Sequence, residues 1–291
     1  MKHNETLIVI DGNYIGHSCR FTNSVYLKGK ETGVIFDLLT KVLDLAEAYD
    51  TSKFAFVWDS KHSWRKKKYN WYKAKRAKSR KELDEVEKET LAAMFRQVDL
   101  IQDILPKLGF KNNLMQNGVE GDDLMAMICR NYPQYKIILV ANDHDLYQLL
   151  DNKVSMLSPK AEYLGKEYKV ADFEEEFGIS PKKWHLVKAI AGCTSDEVPG
   201  IEKVGEKTAC KYLRGELKEH TQAYKKITCQ DGIDIKERNL ELVELPHKKT
   251  KPIILKEDEL NLEEFEKLCK EFKFKYFLED RFDEWERFFS R

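Results

Sequence analysis

Three short apolar runs frame this chain: residues 6–10 (TLIVI), 53–58 (KFAFVW) and 136–140 (KIILV). Each has the length and the β-branched or aromatic content of a buried strand. Between them lie longer stretches whose apolar positions recur with helical spacing. In 33–49 these are Val34, Leu38, Val42, Leu45 and Tyr49, and in 82–108 Val86, Met94, Phe95, Val98, Ile101, Leu105 and Leu108. A further apolar run, 124–128, reads as a helix too uniformly apolar for the surface. Strands alternating with helices predict an α/β fold with a parallel sheet covered on both faces. Its working site would lie outside the carboxyl ends of the strands.

Past Pro159 the character changes. Helical patterns at 170–177 and 182–191 are separated by Gly178-Ile179-Ser180-Pro181. A Pro199-Gly200 turn and a Val204-Gly205-Glu206-Lys207-Thr208 turn then lead into a short helix, where backbone amides can cradle a phosphate. The second turn is not a nucleotide-binding P-loop, because that motif's first glycine is missing. Residues 238–246 (RNLELVELP) alternate, which predicts a strand or extended segment, and the chain from 260 onward is acidic, aromatic and helical in pattern.

Acids follow the strand runs. Asp11 ends the first, Asp59 the second, and Asp143 and Asp145 come just after the third. One Asp after a strand is ordinarily a turn residue or a helix cap. Three strands delivering acids to one edge favour a metal-binding edge. The segment Gly118-Val119-Glu120-Gly121-Asp122-Asp123 adds three more carboxylates ahead of the 124–128 run. On a helix Glu120 and Asp123 share a face, with Asp122 beside them. Such acids can be dipole-stabilised caps. Three together also repel, and clustered oxygen donors suit Mg²⁺ or Mn²⁺. On these residues alone both readings stand.

Composition narrows the class. The 291 residues are 42% hydrophobic, and no apolar run approaches the length of a membrane span. The N-terminus has no signal-peptide pattern, and six cysteines without a Cys-x-x-Cys pair suggest neither zinc nor a disulfide framework. The expectation is a protein of the reducing cytoplasm. The formal net charge of zero hides an asymmetry: residues 61–81 hold eleven Lys/Arg and no acid, leaving 39 basic against 50 acidic residues elsewhere. In that segment Trp64, Tyr69, Trp71 and Tyr72 interleave with Arg65, Lys66, Lys67, Lys68, Lys73, Lys75 and Arg76. Cations neutralise phosphates and aromatic faces stack on unpaired bases. The alternative for this stretch is a solvated charged loop.

Several of these motifs together resemble the 5′–3′ exonuclease and flap endonuclease family of phage 5′-nucleases and the N-terminal nuclease domain of bacterial DNA polymerase I. Tyr72-Lys73-Ala74-Lys75-Arg76 is similar to the family's Tyr-Lys-x-x-Arg, which lies in an arch over the active site. Residues 118–123 resemble its Gly-Val-Glu-Ala-Asp-Asp, with Gly121 in place of alanine, and Asp143-His144-Asp145 through Leu149 its Asp-x-Asp-x-x-x-Leu. Asp196 to Ile201 and Gly205 to Ala209 look like its helix–three-turn–helix, which grips duplex backbone.

The resemblance implies a PIN-like, mostly parallel α/β domain over 1–165 with an arch at about 60–100. A DNA-binding subdomain and C-terminal segment would follow over 166–291. It implies a structure-specific 5′-nuclease hydrolysing phosphodiesters in branched DNA or RNA–DNA primers during replication or repair. One Mg²⁺ or Mn²⁺ would be held by Asp11, Asp59, Glu120 and Asp122, and a second by Asp123, Asp143, Asp145 and Asp196. Lys73 and Arg76 would reach the scissile phosphate, Tyr72 would stack on the adjoining base, and Lys66 and Lys67 would hold the 5′ single strand. Gly205, Lys207 and Thr208 would anchor the duplex, with K⁺ on the hairpin carbonyls as in relatives. A free-standing monomer acting on flaps, overhangs or nicks in a bacterial or phage-infected cytoplasm is expected.

Three departures stand out. Cys193 replaces the first Asp of the family's Gly-Asp-x-x-Asp-Asn, which weakens the second metal site, since sulfur is a poor partner for Mg²⁺. Glu197 replaces the Asn and is a candidate to compensate, and Lys203 replaces a Gly common in the hairpin. The competing reading is a branched-DNA-binding protein with weakened or lost nuclease activity.

Overall fold

A computed structural model describes residues 5–22, 24–158 and 165–291; Pro159, where the sequence pattern changes, lies outside the described residues. The three apolar runs form strands β1 (Thr6–Asp11), β2 (Phe54–Val57) and β4 (Lys136–Val140). Short strands β3 (Asn113–Leu114), β5 (Val154–Leu157) and β6 (Glu167–Tyr168) complete a six-stranded sheet of order β3-β2-β1-β4-β5-β6. All its pairings are parallel except β5 with β6. The predicted α/β fold with a mostly parallel sheet is thus present.

Strand alternation decides which face each side chain serves. Ile8, Ile10, Phe54 and Phe56 point into one core, and Leu7, Val9, Ala55 and Val57 into the other. The first core is closed by the Gly33–Tyr49 helix and by the 23-residue Glu85–Lys107 helix. The latter starts at a capping box in which Asp84 accepts from the Glu87 amide and Glu87 accepts from that of Asp84. The second core takes the Gly121–Asn131 helix and the helices Val170–Phe177, Trp184–Ala191 and Glu206–Leu213.

One region departs from the sequence reading. Residues 238–243, expected to be extended, belong to the Gln230–Val243 helix. Asn239, Leu242 and Val243 are its buried residues near this end, at the i, i+3, i+4 spacing of one helical face. The C-terminal helices Leu262–Phe272, Lys275–Glu279 and Phe282–Phe289 are present, as the pattern past 260 predicts. They return to the first core, where Phe265, Phe277, Trp285 and Phe288 pack with Phe54 and Phe110.

Candidate active site

The acids gather at the carboxyl edge of the sheet because short segments leaving the strands hold them there. Asp11 ends β1 and caps the Gly12–Phe21 helix, accepting the Tyr14 amide at 3.0 Å. Asp59, just past β2, accepts the Gly121 amide at 2.7 Å, which ties it to the start of the Gly121–Asn131 helix. Asp122 lies in that helix's first turn. Asp143, three residues past β4, accepts the Asp145 amide at 2.8 Å and starts a 3₁₀ turn over His144–Leu149. Asp11, Asp59, Asp122 and Asp143 line one cleft of about 660 Å³ together with Lys73 and Arg76.

Their electrostatics follow from crowding. Burial first, and then the charges of Asp59 and Asp143, push the Asp11 carboxyl up to about 7. Burial and then Asp143 and Asp11 push Asp122 well above the usual carboxylate range. Asp59 opens to the water of the cleft but has protein on its other sides, and burial is the main cause of its rise. Carboxylates that raise one another in this way favour a cation among them. A set of hard oxygen donors fits Mg²⁺ or Mn²⁺, so these four acids could hold one.

Behind this cleft the acids are already matched by the chain's own cations. Glu120 accepts from Ser63 Oγ at 2.6 Å, Lys73 Nζ at 2.7 Å and Tyr72 Oη at 3.2 Å. Burial alone would raise its pKa, but Lys73 and Arg65 outweigh it and hold the carboxyl at about 2. Asp196 accepts from Arg76 at 2.7 Å and Tyr72 Oη at 3.1 Å, and pairs with Lys73 at 3.3 Å. Asp145, Cys193 and Asp196 bring ligand atoms within 4.8 Å of one another, the one such trio among the described residues. Lys188 reaches into this trio: its Nζ is 3.4 Å from Asp145 Oδ1 and 2.9 Å from Glu206. Burial and then Asp143 raise the Asp145 carboxyl to about 7, and burial raises the Cys193 thiol.

Several expected roles change. Asp123 does not join the acid cluster. It is fully buried in a two-pronged pair with Arg65, at 2.6 and 2.8 Å, and accepts the His247 amide at 2.7 Å. Arg65, from the basic segment, also donates to the carbonyls of Leu242 and Glu244 and is 4% exposed. Tyr72 cannot stack on a base, because it is 2% exposed and its hydroxyl is spent on Glu120 and Asp196. Glu197 does not stand in for Cys193, since its carboxylate accepts the Lys75 backbone amide instead. Lys66 and Lys67 are exposed on the Trp64–Lys68 helix. Gly205 caps the Glu206–Leu213 helix with open space around its Cα, and Lys207 and Thr208 follow in its first turn. Arg80 and His17 line the cleft without having been singled out by any motif, and Phe21, 77% exposed, stands at its rim. An apolar ring left in water beside a polar cleft was the available signal for Phe21.

Comparison with known proteins adds three findings. The family model described as 5′-3′ exonuclease, N-terminal resolvase-like domain, matches residues 6–178. DNA polymerase I of Thermus thermophilus is 27% identical over 213 residues, 72% of this chain, and that of Deinococcus radiodurans 29% over 217 residues, also 72%. The chain spans 24% and 21% of the lengths of these relatives. Among solved structures, a T5 5′-exonuclease with bound zinc superimposes with TM-score 0.71 at 24% identity, covering 83% of this chain and 90% of that one. Flap endonuclease-1 from Methanococcus jannaschii gives 0.56 at 14% identity, covering 92% and 85%. At these identities the structural likeness concerns the fold.

Proposed function

Because this chain belongs to the 5′–3′ exonuclease N-terminal, resolvase-like domain family, we propose that it is a divalent-metal-dependent, structure-specific 5′-nuclease. Its substrates would be branched or nicked DNA, or RNA–DNA primers. The observation that carries the reading is the cleft in which Asp11, Asp59, Asp122 and Asp143 meet the cations Lys73 and Arg76. Those four acids would hold the ion, with Mg²⁺ or Mn²⁺ the fitting metals. A divalent ion supplies Lewis acidity, activating water and neutralising charge on the phosphoryl group.

The chain's own part is positioning and charge. Arg76, with its side chain 49% exposed, and Lys73 face the cleft where a phosphodiester would sit, and positive charge there stabilises the dianionic transition state. Both are held in place by Asp196, with Glu120 a second anchor for Lys73, so little reorganisation is needed when the phosphate arrives. With Tyr72 buried, Phe21 at the cleft rim offers the stacking face for the base beside the cut. The Trp64–Lys68 and Ala74–Lys81 helices would form the arch over the single strand, with Lys66 and Lys67 on phosphates. The Gly205 amide end with Lys207 and Thr208 would anchor the duplex, and a K⁺ ion on the hairpin carbonyls belongs to the same reading. Grip at two places selects a junction without reading sequence.

Cleavage of a 5′-flap substrate in Mg²⁺, Mn²⁺ and EDTA tests the proposal. Asp122→Asn should bind the flap nearly as well as the wild type and cut it orders of magnitude more slowly. A wild-type chain that binds the flap but cuts it in neither metal would sink the nuclease reading.

A further inference from the structure

We infer that the Lys188 ammonium occupies the second cation position of this site, so that the chain takes up one divalent ion rather than two. The inference rests on the nuclease reading above. The trio Asp145, Cys193 and Asp196 is compact enough for a cation, with ligand atoms within 4.8 Å. Asp145 is 8% exposed, and its Oδ1 has no hydrogen-bond partner. A buried carboxylate oxygen left so favours a nearby positive charge.

The chain already provides that charge. Lys188, 6% exposed on the Trp184–Ala191 helix, lies 3.4 Å from Asp145 Oδ1, a Coulombic contact without hydrogen-bond alignment. Its ammonium lies 5.2 Å from the centre of the Trp184 ring and is also held by Glu206 at 2.9 Å. Asp196 is covered in turn by Arg76 at 2.7 Å and Lys73 at 3.3 Å. Around the trio, Asp145, Asp196 and Glu206 therefore face Lys188, Lys73 and Arg76, with Lys73 shared with Glu120.

A dication entering this space would have to displace Lys188 from a matched, desolvated pair and would then find a thiol as its third donor. Thiol sulfur is a poor ligand for Mg²⁺ and must lose its proton to bind any metal. The Asp11, Asp59, Asp122 and Asp143 group is the opposite case: none of the four has an ion-pair partner among the described residues. The second position thus keeps a positive charge but loses Lewis acidity. Lys188 acts as a positioning residue that neutralises Asp145 beside Asp143.

Mn²⁺ stoichiometry of the full chain without DNA, measured by calorimetry and electron paramagnetic resonance, is the test. The wild type should bind one Mn²⁺, lost in Asp122→Asn. Lys188→Met, which keeps the stem and removes the charge, should bind a second. It should also show an ultraviolet cadmium–thiolate band that Lys188→Met/Cys193→Ser lacks. Two ions on the wild type, a wild-type cadmium band that depends on Cys193, or Lys188→Met remaining at one ion overturns the inference. So does a single wild-type ion that disappears in Cys193→Ser and survives Asp122→Asn, although the nuclease reading then stands. No ion at all on the wild type would remove the metal site and this inference with it.

Discussion

At the scale of single residues, the acids that gather in the cleft were legible in the sequence and the partners of their neighbours were not. Asp11, Asp59, Asp122 and Asp143 could be found because strand ends and a helix start are local features. Asp123 looked like one more member of the cluster, yet its partner Arg65 stands 58 positions away in a run that reads as solvent-facing charge. Replacing Asp123 by Asn leaves a buried guanidinium uncompensated and should cost roughly 3–5 kcal/mol in urea unfolding, with Mn²⁺ stoichiometry unchanged. Loss of the ion without loss of stability would return Asp123 to the metal site. Asp11 makes a pH-dependent claim. Its carboxyl is raised from 3.8 to about 7 by burial first and by Asp59 and Asp143 next, so the folded form holds the proton more tightly than the unfolded chain. Its contribution to stability is complete below the unfolded pKa and disappears as pH rises through the folded one. In EDTA, the stability of the wild type relative to Asp11→Asn should therefore fall between about pH 4 and pH 7, the span from the unfolded to the folded value. Saturating Mn²⁺, which binds the deprotonated carboxylate, should flatten or reverse that trend. A pH-independent difference in EDTA would show that Asp11 titrates normally.

At the scale of elements, agreement is best where one period dominates. The Gly33–Tyr49 helix and the three apolar strands carry their burial pattern in their own residues. The stretch 238–246 misleads because alternation over a few residues cannot be separated from the end of a helix whose earlier turns are polar. What buries Asn239 is contact with the carbonyls of Ala189 and Pro199, 50 and 40 positions away. Backbone geometry shows what two of the sequence's departures cost. Glu197 and Lys203 have φ of 60° and 63°, the left-handed region that Asn and Gly accept at least cost. The Lys203 side chain is largely exposed and makes only a 3.8 Å ion pair with Glu202. Lys203→Gly should therefore stabilise the chain by about 0.5–1 kcal/mol, the strain relieved exceeding the added freedom of the unfolded chain. Thermal unfolding checks it; a lower Tm would mean that the αL strain at this turn is negligible.

At the scale of the whole molecule, the sheet and its flanking helices followed from the order of elements, while the return of the last three helices to the first core did not. Their acidic, aromatic pattern predicts helices but not the surface they cover. The same limit applies to charge. The eleven basic residues in 61–81 read as a phosphate-contacting segment or a solvated loop, but the fold pairs five of them with its own acids. Arg65 is buried on Asp123, Lys68 pairs with Glu241, Lys73 with Glu120 and Asp196, and Arg76 with Asp196. Lys78 lies 4.0 Å from Glu82. Among the described residues, Lys61, Lys66, Lys67, Lys75, Arg80 and Lys81 are the members of the segment that no ion pair engages. Each cation placed on a phosphate of a single strand contributes about −0.7 to the slope of log K against log salt. A segment using six should thus give a slope near about −4, whereas one using all eleven would give about −8. Fluorescence anisotropy of a single-stranded oligonucleotide in EDTA, titrated over NaCl, measures this directly. A slope near the larger value would mean that DNA pulls Lys73, Arg76 and their neighbours off their carboxylates. The internal pairing that holds this site together would then be a property of the free chain alone.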